Sequence, residues 1–306
     1  MIEKAVALLK AGKLIGLPTE TVYGLAADAK NDEAIKKIFS VKGRPTDHPL
    51  IVHIGSFEEI NDWAETISPE AHILMQEFWP GPLTLILKKQ AHVSNLVTAN
   101  QDSVGLRMPN HPMAQALLQA FGGGVAAPSA NQFGHISPTC AEDVFEELQD
   151  KVDLILPGGA ANIGIESTIV DARTTPVKIL RPGAITKAML EEALQQEVIT
   201  NNKTTLKVSG NLASHYAPRT PLILMSKTEI ENTNLNAIFL IYSKITLPEN
   251  SKIIQLSQDP KSYAHDLYKS LRQADHAMAS KIIVEQPPTE DAWEAINERL
   301  AKAATH

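Results

Sequence analysis

The sequence has little of several features that would mark a specialised class of protein. Its 306 residues contain a single cysteine, Cys140, so neither an intrachain disulfide nor a cysteine-rich zinc site can form. There is no run of about 18 apolar residues, the length a membrane-spanning helix needs. Residues 1–17 also lack the long apolar segment of a signal peptide. We therefore expect a cytoplasmic protein without membrane contact.

An excess of positive charge is also missing. The chain has 28 Lys and Arg against 35 Asp and Glu, which gives a net charge of −7. A dedicated nucleic-acid binder normally carries surplus cations that displace counterions, so nucleic acid is not the expected primary ligand. A local basic cleft remains compatible with this total, because the field at a site depends mainly on nearby charges.

The common nucleotide and metal motifs are absent as well. The chain contains no GxxxxGK[ST] segment, and its one glycine run, Gly122 to Gly124, precedes a predicted strand instead of following one. It has no HExxH and no metal-spaced group of His or Cys, so we expect no metal site built by the protein.

The periodicity that is present predicts two α/β units. Residues 1–196 mix helices and strands without strict βαβ alternation, which favours a twisted, mixed open sheet with flanking helices. Residues 197–220 are rich in Asn, Thr, Ser and Gly and read as a linker. Residues 221–306 offer three strand candidates, PLILM, NAIFLIY and KIIQL, and two amphipathic helices. They predict a smaller α/β, Rossmann-like domain.

Several predicted loops place hydroxyl or amide side chains beside a cation. Because loops at strand ends line the crevice of an open sheet, these residues can converge on one ligand. Only a polyanion makes it favourable to collect three or four cations near one point. The residues are Thr19, Glu20, Thr21 and Tyr23, then Lys42 and Arg44, then Arg107, then Ser129 and Asn131, and finally Arg181.

Some of these features have purely structural interpretations. Lys42 and Arg44 could simply suit the dipole at a helix C-terminus, although Pro45 after them also lets both reach into one cleft. Ser137-Pro138-Thr139 could cap the following helix, with Thr139 and Glu142 forming a capping box, or could offer hydroxyl and N–H groups to a phosphate.

Two further side chains have structural alternatives. Cys140, in the first turn of that helix, is expected to be structural, since neither a second Cys nor a paired His lies near it in sequence. His53, inside a strand, is either a core histidine or a substrate contact.

Eight segments spread over about residues 1 to 195 form a series. They are PTETVYGLAADA, the KxR of KGRPTDHPLIVHI, WPGPLTLIL, VGLRMPNHP, APSAN, SPT, ESTIVD and ILRPGAIT. In this order they resemble the YrdC-type threonylcarbamoyl-AMP synthases. HYAP at residues 215–218 and the small unit after it are similar to the longer, two-domain form of that family.

The resemblance implies a reaction that joins L-threonine, bicarbonate and ATP into threonylcarbamoyl-AMP and pyrophosphate. It also implies Mg²⁺ that enters with ATP and has no dedicated protein site. The product would serve downstream tRNA-modifying transfer proteins that make threonylcarbamoyladenosine, and the resemblance leaves open whether tRNA touches this chain. Such a nucleotidyltransferase needs positioning and charge stabilisation but no covalent nucleophile.

The resemblance also implies roles for individual residues. Thr21, His53, Arg107 and Ser167 would bind threonine, with Arg107 pairing its carboxylate. Lys42, Arg44, Ser129 and Asn131 would be catalytic. The ATP site would comprise Lys42, Arg44, His48, Ser129, Asn131, Ser137, Arg181, His215 and Tyr216.

Two departures from the family pattern concern the ATP site. His48 stands where many members have Asn, and the segment before HYAP reads VSGNLAS, without the Pro-Gly-Met-Lys of many relatives. His215 and Tyr216 remain candidate contacts from a linker that we expect to act as a lid, excluding water from the adenylate.

The alternative to an enzyme is an RNA-binding module without catalysis, since the same cations could meet an RNA backbone. The acidic total and the lack of basic-aromatic runs count against it. A carbamoyl-transfer enzyme using carbamoyl phosphate is a second alternative. The missing zinc-knuckle and acylphosphatase-like segments count against that one.

Overall fold

The computed structural model describes residues 1–200, 206–210, 215–233, 235–247 and 251–304. Of the predicted linker, residues 201–205 and 211–214 lie outside the described residues. The helices are α1 (Ile2–Lys10), α2 (Asp32–Lys42), α3 (Pro69–Phe78), α4 (Asn95–Thr98), α5 (Pro112–Phe121), α6 (Ala141–Leu148), α7 (Lys187–Leu194), α8 (Lys227–Glu231), α9 (Pro260–His276) and α10 (Glu294–Ala303).

The strands belong to two sheets. The first sheet contains β1 (Ile15–Leu17), β2 (Gly24–Asp28), β3 (Ile51–His53), β4 (Ala64–Thr66), β5 (Leu83–Lys89), β6 (Ser103–Arg107), β7 (Val125–Ala126), β8 (Leu154–Ile155), β9 (Thr168–Asp171), β10 (Lys178–Arg181) and β11 (Ile199–Thr200). The second contains β12 (Leu222–Met225), β13 (Ile238–Ile241), β14 (Lys252–Gln255) and β15 (Ile282–Glu285).

Strand order confirms the mixed α/β fold. The first sheet runs β11-β10-β9-β5-β6-β3-β7-β2-β1-β8, with β4 paired to β5, and it combines parallel pairs such as β3 with β6 and antiparallel pairs such as β5 with β6. The second sheet, β12-β15-β13-β14, is parallel at each pairing. Edge strand β11 lies inside the predicted linker.

Helices cover both faces of the first sheet. Apolar residues of α2, α3 and α7 pack on one face, while Leu9 of α1 and Leu117 of α5 pack on the other with Ile15 and Leu17 of β1. Buried apolar strands need such double cover, which explains why several strands lack alternation. Within the described chain, no helix has both the length and the apolar character to cross a bilayer.

A third cluster joins the two sheets. Val22, Ile136 and Ile165, from loops of the first sheet, pack with residues of α9, α10 and the second sheet. The loops around the strand ends therefore share a core with the C-terminal helices, and α9 and α10 lie directly behind these loops.

Two sequence expectations about elements were wrong. The second sheet has a fourth strand, β15, which lies at its centre between β12 and β13; its fully buried Ile-Ile-Val run carries no alternating pattern to predict it. The capping carboxylate of α6 is Asp143, not Glu142: its Oδ2 accepts from the N–H of Thr139 at 2.9 Å and of Cys140 at 3.3 Å. The helix therefore begins one residue later than a Thr139 cap requires.

Candidate functional site

A pocket opens where several strands of the first sheet end. Its lining brings together loops that are far apart in the sequence. The lining residues are Thr19, Thr21, Val22, Gly24, Arg44, Ile51, His53, Arg107, Ala127, Pro128, Ser129, Glu166, Ser167, Arg181, Ser209, His215 and Tyr216. Three guanidinium groups, from Arg44, Arg107 and Arg181, thus share one cavity.

The four residues predicted to bind threonine all line this pocket. His53 and Arg107 are register partners at the ends of parallel strands β3 and β6, which places their side chains on the same face. The guanidinium of Arg107 donates to the Thr21 hydroxyl at 2.8 Å. Ser167 shares a 2.8 Å hydrogen bond with Thr84.

Glu20, one of the loop residues expected to converge on the ligand, pairs with a cation of the site and does not line the pocket. Its Oε1 lies 2.6 Å from Nη2 of Arg107, and both side chains are buried. Its Oε2 has no hydrogen-bond partner among the described residues. The carboxylate orients the arginine, a role that the acid within PTETVYG could have suggested.

Arg44 and Lys42 reach the site region from the end of α2. Gly43 adopts a φ of 62°, a left-handed conformation that suits glycine and ends the helix. The Arg44 guanidinium lies in the pocket, where burial lowers its pKa to about 10. It remains a cation at neutral pH.

Lys42 lies behind the pocket wall instead of lining it. Its Nζ donates to the carbonyls of Ser129 at 2.5 Å and Asn131 at 2.6 Å. Burial, together with the Arg44 charge, holds the pKa of Lys42 well below its usual value. In this structure, Lys42 therefore shapes the loop that carries Ser129.

The other predicted ATP residues divide into two groups. Arg181 and Ser129 line the pocket, with Arg181 bound to the Ser167 carbonyl by Nε at 3.1 Å and by Nη2 at 2.9 Å. Asn131 lies outside the lining, where its amide donates to the carbonyls of Gln132 and His135, both at 2.8 Å.

His48 and Ser137 are likewise outside the lining. The His48 ring meets Phe133 edge-on at 5.5 Å between centroids. The buried Ser137 hydroxyl donates to Oε1 of Glu166 at 2.5 Å. The fold therefore brings both close to residues of the site without exposing them to the cavity.

The described ends of the linker lie against the pocket. Ser209, His215 and Tyr216 are part of its lining, and the ring centroids of His215 and Tyr216 are 4.1 Å apart. Lys302 of α10 holds this segment, because its Nζ donates to the Gly210 carbonyl at 2.5 Å.

Both pocket histidines are neutral in the folded state. Burial lowers the pKa of His53 to about 3, and the Arg107 charge adds to the effect. Burial also lowers the pKa of His215 to about 3, although the Glu166 carboxylate opposes the shift. Neither ring contributes positive charge to the cavity near neutral pH.

Glu166 lines the pocket, although it was not among the site residues predicted from the sequence. It supplies the one carboxylate in the pocket lining drawn from the described residues. Oε1 accepts from Ser137, while Oε2 accepts from Tyr268 at 2.8 Å and from Nε of Arg299 at 3.0 Å. Glu166 begins the ESTIVD motif, which located the loop but gave no sign of Tyr268 and Arg299, partners that lie more than 100 residues away.

The chemistry that this arrangement suits is the binding of anions. Guanidinium groups pair bidentately with phosphates and carboxylates, and the surrounding hydroxyls can bond the remaining oxygens. Burial raises the pKa of Cys140 to about 11, so a thiolate nucleophile is disfavoured near neutral pH. Among the described residues, no group of three or more His, Cys, Asp or Glu is placed to hold a metal ion.

Comparison with known proteins matches both parts of the chain. A Sua5, YciO and YrdC family model described as "Telomere recombination" matches residues 7–183. A second model, described as "Threonylcarbamoyl-AMP synthase, C-terminal domain", matches residues 185–305.

Full-length relatives carry the same description. The threonylcarbamoyl-AMP synthase of Pyrococcus abyssi is 37% identical over 318 residues, covering 99% of this chain and 94% of that protein. That of Bacillus subtilis is 37% identical over 325 residues, covering 99% and 92%. A crystal structure of P. abyssi Sua5 complexed with L-threonine superposes with a TM-score of 0.90 at 35% identity, covering 99% of this chain and 94% of that one.

Proposed function

The chain belongs to the family of threonylcarbamoyl-AMP synthases, and from that membership we propose how its residues join L-threonine, bicarbonate and ATP. The reaction yields threonylcarbamoyl-AMP and pyrophosphate and supplies tRNA modification. The observation that carries the proposal is the convergence of Arg44, Arg107 and Arg181 on one pocket. Two anionic substrates, an amino-acid carboxylate and a triphosphate, account for three cations at one place.

Threonine binds at the β3 and β6 side of the pocket. The Arg107 guanidinium, already oriented by Glu20 at 2.6 Å, pairs with the substrate carboxylate. The hydroxyls of Thr21 and Ser167 and the neutral His53 ring supply hydrogen bonds for the polar groups of threonine. An apolar amino acid would leave these buried groups unpaired, which favours threonine.

ATP binds beside the threonine, where Arg44 and Arg181 lie in the same pocket. Both guanidinium groups and the Ser129 hydroxyl lie in the pocket lining, where they can neutralise phosphate charge. Lys42 and Asn131 act here by holding the loop that carries Ser129. Ser137 acts indirectly, through the hydrogen bond from its hydroxyl to Glu166. His48 acts indirectly as well, through its ring contact with Phe133.

The chemical step needs no enzyme-bound intermediate. Bicarbonate loses hydroxide to give CO₂, and the threonine amine adds to the carbon of CO₂. The proton that the amine loses converts the hydroxide to water, which leaves a carbamate. A carbamate oxygen then attacks the α-phosphorus of ATP as the bond to the β-phosphate oxygen breaks, and pyrophosphate leaves. The protein's contribution is to align the two substrates and stabilise the charge that moves onto pyrophosphate.

Mg²⁺ enters with ATP as part of the substrate. The one carboxylate in the described lining, Glu166, already accepts from Ser137, Tyr268 and Arg299, which fits a metal carried by phosphate oxygens and not by the protein. The linker segment with Ser209, His215 and Tyr216 serves as the lid that keeps water from the adenylate. Transfer proteins that modify tRNA receive the product.

Pyrophosphate release tests the proposal. The full chain is incubated with MgATP, L-threonine and bicarbonate, and then with threonine or bicarbonate omitted in turn. Release that needs all three substrates is the expected result. ATP consumption without threonine dependence would contradict it. RNA affinity that falls steeply with salt in the absence of any ATP turnover would point to the RNA-binding alternative.

A further inference from the structure

The C-terminal helices reach the pocket at one buried cluster. Arg299 of α10 is only 1% exposed, and Tyr268 of α9 is fully buried. Both bond to Oε2 of Glu166, Arg299 through Nε at 3.0 Å and Tyr268 through its hydroxyl at 2.8 Å. A residue 133 positions away in the sequence thus holds the carboxylate that lines the pocket.

Arg299 also contacts a second residue of the pocket wall. Its guanidinium carbon lies 5.3 Å from the centroid of the Tyr216 ring, which stacks on Tyr268 at 5.9 Å. Nη1 of Arg299 donates to the Pro182 carbonyl at 2.9 Å, in the loop that follows Arg181. One guanidinium group therefore supports Glu166, Tyr216 and the Arg181 loop together.

From these contacts we propose that Arg299 is a positioning residue for the synthesis, acting through the Glu166 carboxylate and the Tyr216 ring that it contacts. Glu166 in turn fixes the Ser137 hydroxyl, whose single proton it accepts at 2.5 Å. The C-terminal unit thereby completes the pocket, beyond holding the linker. This inference rests on the proposed function for its reaction.

The charge of Glu166 depends on the same contact. Burial alone would raise the pKa of the Glu166 carboxyl, but the charges of Arg299 and Arg181 and the Ser137 hydrogen bond outweigh it, and the pKa falls to about 2. With Arg299 removed, burial is opposed mainly by Arg181, so the carboxyl should take up a proton at higher pH. The charged or titratable groups near the carboxylate, among the described residues, are Arg181, Arg299, Tyr216, Tyr268 and His215, and Glu298 of α10 pairs with Arg299.

The test compares Arg299→Met and Arg299→Lys with a matched control. His276→Gln removes a hydrogen bond of 2.7 Å between α9 and Glu146 of α6, which links the same two parts of the chain away from the pocket. Arg299→Met should lower kcat/KM for ATP by roughly 100-fold, the scale of a misplaced contact. The same substitution should also shift the acid limb of the pH–rate profile to higher pH. His276→Gln should stay within about twofold of wild type.

Arg299→Lys keeps the cation and should restore the pH profile while recovering only part of the rate. The proposal is overturned if folded Arg299→Met keeps the wild-type rate and profile. It is also overturned if both Arg299 variants shift the profile equally.

If Arg299→Met does not fold, Glu166→Gln with Arg299→Met removes the two paired charges together, and Arg181 keeps its hydrogen bonds to the carbonyls of Ser167 and Ser209. This paired variant should fold and remain slow, and wild-type turnover in it would overturn the proposal. Failure of wild type to release pyrophosphate would refute the proposed function instead. The role of Arg299 would then be tested by titrating each variant with ATP alone. Arg299→Met should weaken ATP binding, and His276→Gln should not.

Discussion

At the residue scale, the hydrogen bonds of Arg44 indicate that the fold does not depend on its guanidinium group. It donates to the Pro49 carbonyl at 3.0 Å, but the Ser209 hydroxyl also donates to that carbonyl at 3.0 Å. Removing the guanidinium therefore leaves the carbonyl satisfied. Among the described residues, Arg44 forms no ion pair with a buried acid, so its loss leaves no buried charge without a partner.

We predict that Arg44→Ala lowers kcat/KM for ATP by roughly 100- to 1,000-fold, the usual cost of losing one stabilising donor. Its thermal unfolding midpoint should stay close to that of wild type. Arg44→Lys should recover part of the rate, since lysine restores the positive charge but not the bidentate geometry of the guanidinium group. Steady-state kinetics and thermal melts check both, and near-normal turnover of Arg44→Ala would remove it from the site.

His53 should make stability depend on pH. Its pKa is about 3 in the folded state against an ordinary 6.5, so between these values the unfolded chain binds the extra proton. The free energy of unfolding should therefore fall as the pH drops below 6.5, by up to about 1.4 kcal/mol per pH unit for this group. His53→Gln should show a shallower fall in urea unfolding at pH 6.5, 5.5 and 4.5. An unchanged slope would contradict the buried neutral ring.

At the element scale, the start of α6 matters because it fixes the loop before it. Asp143 Oδ2 accepts from the Thr139 N–H, and the Pro138 carbonyl accepts from the N–H of Tyr23 at 2.8 Å. The cap thus connects the helix to the PTETVYG loop of the pocket. Glu142, the partner that the sequence favoured, is exposed.

We predict that Asp143→Ala lowers the free energy of unfolding by at least about 1 kcal/mol, because it removes the capping interaction and also the 3.6 Å ion pair with Arg272. Glu142→Ala, one residue earlier, is the control and should cost less than about 0.5 kcal/mol. Urea unfolding of both variants provides the comparison. Equal losses would mean that Asp143 has no special role in capping.

At the scale of the whole molecule, a buried ion pair joins α6, which follows strands of the first sheet, to α9 of the C-terminal part. Glu147 of α6 binds Arg272 of α9 at 3.1 Å, and it also accepts from the N–H of Gln132 and from His135, both at 3.1 Å. Burial opposes the charge of Glu147, but the His135 hydrogen bond and the Arg272 charge lower its pKa to about 2. The attraction between the two parts of the chain should therefore persist in mild acid.

The stability that Glu147 contributes is present above its unfolded pKa of 4.5 and should be lost as the pH falls towards 2. Glu147→Gln should lower the free energy of unfolding at pH 7 by on the order of 2 kcal/mol, because buried Arg272 loses its closer carboxylate and keeps only Asp143 at 3.6 Å. Below pH 4.5 it should lose less further stability than wild type. Glu146→Gln, at the more exposed pair with His276, should cost less than about 1 kcal/mol, and acid titrations of unfolding distinguish the two.

Much of this molecule could be predicted from local sequence. The mixed α/β class, the family and the loops that carry Thr21, Arg107, Ser129 and Arg181 follow from short motifs and periodicity, because turn chemistry and strand ends are local properties.

Tertiary structure alone decided which groups face the cavity and which stand behind it. Lys42 turned out to hold carbonyls, Glu20 to orient Arg107, and Glu166 to depend on Arg299, 133 residues further along the chain. The central position of β15 was equally hidden. Such contacts are set by strand order and by the packing of distant helices, neither of which leaves a periodic trace in the residues themselves.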